Sequence, residues 1–143
     1  MPLLTETIQS LYQKLRLLGY RRLFASVREK SGSLSATEAF SADVIHLMGR
    51  PTISQFAALL GISQPNATYK VHQLTKKGYL RRERPADRDG REVVLVTSEK
   101  FSRYFDEKTE TLERYVGELK ARFSDEELAV AARVLHTLDE IIR

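Results

Sequence analysis

Cysteine is absent from all 143 residues. That excludes a disulfide, a thiolate metal site and thiol redox sensing within this chain. Histidine is scarce: His46, His72 and His136 fall on three different predicted helices, and none has the second histidine at i, i+4 that a helical zinc site uses. No glycine-rich phosphate loop occurs, and the acid pairs Glu126-Glu127 and Asp139-Glu140 read as solvated helix positions. The sequence thus gives no argument for a metal, a cofactor or an enzyme. No apolar run approaches the roughly 20 residues of a membrane span. The opening stretch MPLLTETIQSLYQ lacks the basic n-region of a secretory signal. The expectation is a cytoplasmic protein that does not meet a membrane.

What is present is a 42% hydrophobic content, enough for a packed core, and a net charge of +4 that is unevenly spread. Residues 1–75 and 76–103 each carry +4, whereas residues 104–143 carry −4. A positive front and middle with an acidic tail suggests a nucleic-acid face, although +4 on a small domain is unremarkable by itself.

The stretch from Thr52 to Thr97 organises the chain. Ile53, Phe56, Ala57 and Leu60 lie on one face of a short helix. Gly61 supplies a corner, Ser63 a cap, and Pro65 a first-turn residue whose missing N–H costs nothing. Ala67, Val71 and Leu74 form the apolar seam of a second helix, which ends at Lys76-Lys77-Gly78. This is a helix-turn-helix, with the small Ala57 allowing close approach of the two helices. The other face of the second helix carries Gln64, Asn66, Thr68, Tyr69, Lys70, His72 and Gln73 and almost no acid. Amides and hydroxyls of this kind suit base edges in a major groove. Tyr79-Leu80 and Val93–Val96 read as two strands around the loop RRERPADRDGRE, and Lys76 to Arg91 holds seven basic residues against three acids. A basic two-stranded wing beside a polar helix suits phosphate contact.

On Leu60-Gly61-Ile62-Ser63, then Leu74-Thr75-Lys76-Lys77-Gly78-Tyr79-Leu80, and the wing ending in Leu95-Val96-Thr97, the segment resembles the winged helix-turn-helix of the MarR family of bacterial transcription regulators. The family's wing holds an Asp-x-Arg motif. Asp89-Gly90-Arg91 fits it, and Asp87-Arg88-Asp89 is the alternative register, so either Arg91 or Arg88 tips the wing. Some relatives sense oxidants through cysteine, a route this chain lacks.

The flanks read as helical. Residues 3–30 carry Leu4, Ile8, Leu11, Leu15 and Leu18 in a strict heptad seam, and Ser35 with Glu38 opens a helix to about Met48. A long polar helix is expected from Glu99 to about Arg122. A last one, opened by Ser124 and Glu127, carries Leu128, Ala131, Leu135, Leu138 and Ile142. Two such seams fit interlocked helices of two chains, which is also what the resemblance implies. The expected fold is mainly α with a small β-wing: a winged helix-turn-helix, residues 34–97, flanked by a helical dimerisation region, residues 1–33 and 98–143.

The expected function is a homodimeric, sequence-specific DNA-binding regulator, by family default a repressor on a pseudo-palindromic operator. Ser63, Gln64, Asn66, Thr68, Tyr69 and Gln73 are candidates for base edges or nearby phosphates, with Tyr69 alternatively packing on Phe56. Lys70, Lys76, Arg84, Arg88 and Arg91 are phosphate or minor-groove candidates. Asp89 is expected to orient a wing arginine, since a carboxylate would repel phosphate. The resemblance also implies release by a small aromatic or lipophilic acid, bound where dimer region and winged lobe meet. Tyr12, Arg16, Tyr20, His46 and Phe105 are the candidates there, each equally readable as a core or dimer contact. The alternatives are a winged-helix protein-interaction module, which an acidic or apolar second helix would favour, and an RNA-binding winged helix.

Overall fold

The computed structural model describes residues 2–29, 34–87, 90–105 and 110–143, the side chains of 25–29, 104, 105 and 110 excepted. They fall into two compact units, Met1–Asp106 and Glu107–Arg143. The first holds α1 (Pro2–Glu29), α2 (Ala36–Leu47), α3 (Ile53–Leu60), α4 (Gln64–Lys76), β1 (Leu80–Glu83), β2 (Val94–Thr97) and α5 (Glu99–Phe105). The second holds α6 (Glu110–Lys120) and α7 (Asp125–Ile141). The expected fold class holds: helices dominate, with one two-stranded antiparallel sheet.

Local chemistry starts these helices where the sequence places a hydroxyl. Ser35 Oγ accepts from the Glu38 amide at 3.2 Å and opens α2. Thr52 opens α3 with a complete capping box: its hydroxyl accepts from Gln55 N, and Gln55 Oε1 accepts from Thr52 N. Ser124 and Glu127 close the same box on α7.

The core of the first unit collects Ala42 and Ile45 of α2, Phe56 of α3, Ala67, Val71 and Leu74 of α4, and Leu95 of β2, all fully buried. Tyr79 and Phe101 also belong to it. Burial of each large aliphatic or aromatic side chain stabilises the unit by about 1.5–3 kcal/mol.

One expectation shifts. The return strand begins at Val94 rather than Val93, in the register Leu80↔Thr97 and Glu83↔Val94. The Leu95 N–H donates to the Pro51 carbonyl at 2.7 Å, so the segment before α3 adds one bond to the hairpin's free edge. The single helix expected from Glu99 to about Arg122 is described as α5 and α6, and residues 106–109 between them lie outside the described set.

The α1 seam stands in solvent in the single chain: Leu4, Ile8, Leu11, Leu15 and Leu18 are each 40–50% exposed. Among the described residues no helix is long and apolar enough to cross a membrane.

Candidate nucleic-acid interface

The turn between α3 and α4 depends on Gly61, whose φ of 65° and ψ of 34° lie in the left-handed region. That conformation lets Ile62 N reach back to Ala57 O at 3.1 Å and ends α3 within one residue. Ser63 then caps α4 by accepting from Asn66 N at 3.2 Å, with Pro65 in the first turn. Ala57 is buried against this corner.

α4 is divided along its length. Ala67, Val71 and Leu74 have no exposure, while Gln64, Asn66, Thr68, Tyr69, His72 and Lys76 face solvent and Lys70 and Gln73 are half-buried. The candidate reading residues therefore share one accessible face. Tyr69 is 64% exposed, so its ring is not spent on packing against the fully buried Phe56. Gln64 Oε1 accepts from Ser54 Oγ at 3.4 Å, a tie across the turn. Ser63 uses its hydroxyl oxygen as the cap acceptor and keeps its proton as a donor. Tyr69, Lys70 and Gln73 also line a cleft of about 240 Å³ with Ser35, Thr37 and Glu38 of the α2 N-terminus.

The wing candidates divide differently. Arg84 donates through a terminal guanidinium nitrogen to the Gly90 carbonyl at 3.1 Å, bridging the loop, and Arg91 is exposed. Arg88 and Asp89 lie outside the described residues, so the two wing registers remain open. The structure adds cations the sequence argument had only counted. Arg81 and Arg82 are exposed on β1, and Glu83 holds Arg81 Nε at 2.7 Å and an Arg50 terminal nitrogen at 3.1 Å. Glu83 fixes Arg50, from the turn before α3, to the base of the wing. The partners are 33 residues apart, and no local spacing signals them.

The proposed effector residues are only partly gathered. Arg16 lies over the Tyr12 ring at 5.5 Å and the Tyr20 ring at 5.8 Å, and donates to the Tyr20 hydroxyl at 3.3 Å. The Tyr20 hydrogen bond, then charge interaction with Tyr20 and Tyr12, raises the Arg16 pKa above its ordinary value. All three residues sit on the exposed side of α1. His46 instead has Thr97 Oγ1 at 3.2 Å from Nδ1 and the Phe101 ring at 5.0 Å. The side chain of Phe105 lies outside the described set.

At the C-cap of α4, Lys77 Nζ meets both carboxylate oxygens of Glu38, at 3.0 and 2.8 Å. Burial pushes the Glu38 pKa up, but hydrogen bonds from Lys77 and Ser35 with the Lys77 charge outweigh it, leaving the carboxyl below its ordinary value.

Residues 42–92, which take in the second half of α2, α3, α4 and β1, match the family model described as MarR family. An uncharacterized HTH-type transcriptional regulator of Bacillus subtilis, YcgE, is 29% identical over 125 residues, covering 87% of this chain and 80% of that protein. The crystal structure of a MarR-like transcriptional regulator from Thermotoga maritima is 25% identical, with a TM-score of 0.52 over 94% of this chain and 95% of that one. Streptococcus pneumoniae FabT, crystallised in complex with DNA, is 23% identical, with a TM-score of 0.51 over 94% of this chain and 96% of its own. Its likeness is one of fold. In the family match over residues 42–92, the helix-turn-helix with its wing and the split face of α4, the chain is similar in sequence and fold to the MarR family of winged helix-turn-helix transcription regulators.

Proposed function

We propose that the protein is a homodimeric repressor that reads a pseudo-palindromic operator with two copies of α4, placing each wing on an adjacent minor groove or backbone. The observation that carries this reading is the split of α4: its inner face is wholly buried, and its outer face presents amides, hydroxyls and lysines without a single acid. Asn and Gln pair donor and acceptor with adenine, and the Thr methyl meets thymine. Lys70, Lys76 and Arg91 neutralise phosphates. FabT, which shares the fold, is seen in complex with DNA. Residues 34–97 form the DNA-binding part and residues 1–33 with 98–143 the dimerisation part. The exposed seam of α1 supports that division, because a monomer would leave it in water. Two-fold symmetry spaces the half-sites by roughly 10 bp. A small aromatic or lipophilic acid near Tyr12, Arg16 and Tyr20 releases the operator by favouring a lobe spacing that DNA does not accept. The protein works in the cytoplasm and catalyses no reaction.

Fluorescence anisotropy on the DNA upstream of the protein's own gene, across a salt series, tests the reading. One dimer should bind saturably. Arg91→Ala should lower the salt slope by about one unit per half-site, and Thr68→Ala/Gln73→Ala should lose discrimination more than nonspecific affinity. Binding by no DNA, including fragments selected genome-wide, sinks the reading in favour of a protein-interaction module.

A further inference from the structure

We propose that Lys100 is a positioning residue for DNA reading, holding the C-terminal end of α4 from the first turn of α5. This rests on α4 being the helix that reads DNA.

The last carbonyls of a helix lack partners within it. At the end of α4 some are met locally: Leu74 O accepts from Tyr79 N at 2.9 Å, and Thr75 O from Gly78 N at 3.0 Å. The carbonyls of the C-cap Lys77 and of the two residues after it are met from the start of α5. Lys77 O accepts from Lys100 Nζ at 2.7 Å, Gly78 O from Ser98 Oγ at 2.6 Å, and Tyr79 O from Ser98 N at 2.9 Å. The Lys100 ammonium also lies 4.6 Å from the centre of the Tyr79 ring, a cation–π contact with a buried tyrosine.

The placement of Lys100 is not explained by its own helix. A cation in the first turn of α5 faces the positive end of that dipole, where an acid is preferred. At the C-terminal end of α4 the same charge is favourable. Lys77 is thereby gripped twice, at its carbonyl by Lys100 and at its ammonium by Glu38 of α2. The joint fixes the tilt of α4 about its contact with α3. Hydrogen bonds to base edges weaken steeply with angle, whereas attraction to phosphate does not. Loosening the joint should therefore cost sequence discrimination before it costs DNA attraction.

Wild type, Lys100→Met, Lys100→Arg and Ser98→Ala would be titrated by anisotropy against two duplexes over a salt series. One is recovered with wild type from a random pool, and the other is its scrambled counterpart. Lys100→Met should lose about tenfold on the selected duplex. It should stay within about twofold on the scrambled one, with an unchanged salt slope. Lys100→Arg, which can donate and stack alike, should recover most of the loss. Ser98→Ala should act in the same direction, and it decides the matter if Lys100→Met does not fold. Amides of Lys77, Gly78 and Tyr79 should exchange faster with solvent in both weakened variants. Equal loss on both duplexes, with a slope lower by about one per protomer, would make Lys100 a phosphate contact and overturn the proposal. So would a lower Tm with unchanged discrimination, which marks a merely structural role. Failure of wild type to prefer its selected duplex removes the DNA reading itself. Preference by wild type, matched by Lys100→Met, removes only this proposal.

Discussion

The winged unit and the C-terminal helices use the same apolar residue types at similar spacing, with opposite results. In the first, Ile45, Phe56, Val71, Leu74 and Leu95 lose all contact with solvent. In the second, α7 has no buried residue, and Leu112, Leu135 and Ile142 are 62%, 58% and 70% exposed. The first unit folds its apolar faces onto each other through turns at Gly61 and Gly78. The second has one hairpin's worth of helix and nothing further within itself to cover the seam. Periodicity states that a face is apolar; it does not state what covers it. The sharpest break in this comparison is a pair of truncations. Phe56→Ala should cost about 3–5 kcal/mol at any protein concentration, measured by denaturant unfolding. Leu135→Ala should cost stability only where the protein associates, so its loss should grow with concentration. Equal, concentration-independent losses would dissolve the distinction.

The next test acts on α1, which belongs to the compact first unit yet carries an exposed seam. Leu11→Glu/Leu15→Glu should shift sedimentation toward monomer, by about 2–3 kcal/mol of association free energy if the half-exposed side chains are covered by a partner. The isolated winged core should keep its unfolding signature. An unchanged oligomeric state would place the interface elsewhere.

How much of this was legible depends on sequence distance. The corner at Gly61, the Ser63 cap and the Ala67-Val71-Leu74 seam lie within a few residues of one another, and local rules read them. The Thr52 cap of α3 is not legible in the same way, because its partner Gln55 acts through an amide that fits many roles. The ties Lys77–Glu38, Lys100–Lys77 and Arg50–Glu83 join residues 39, 23 and 33 positions apart. No period or motif announces them, since each is made when two elements already packed by their apolar faces bring charged ends together. The bond from the Leu95 amide to the Pro51 carbonyl is of the same kind, a partner outside the hairpin that no local pattern signals.

Two glycines sharpen the contrast between turn and helix at smaller scale. Nothing lies within 4 Å of a methyl added at either Gly61 or Gly19, so packing does not decide the outcome. Gly61→Ala should still destabilise by about 1–2 kcal/mol, because the left-handed conformation strains an L side chain. Gly19→Ala, inside α1, should stabilise by about 0.5–1 kcal/mol through helix propensity. Thermal unfolding of the two variants should therefore move in opposite directions, and a common direction would refute the assignment of either backbone state.

The smallest effect concerns the Lys77–Glu38 tie. Glu38 has a folded-state pKa below its unfolded value, so the ionised form favours the native protein. Its contribution is present above the unfolded pKa, near 4.5. It is lost as pH falls through the lower folded value. Both partners keep water contact, with 37% of the Lys77 and 24% of the Glu38 side chain exposed. Solvent screening therefore limits the pair to about 0.5–1 kcal/mol. Glu38→Gln should be less stable than wild type by that amount at neutral pH, with the gap closing progressively below pH 4.5. The tie holds α4 at its C-cap, and the same variant should retain its affinity for scrambled DNA. A gap that persists at low pH would show that Glu38 contributes through packing or its cap rather than its charge. The tie between α2 and α4 would then be as pH-insensitive as the apolar core beside it.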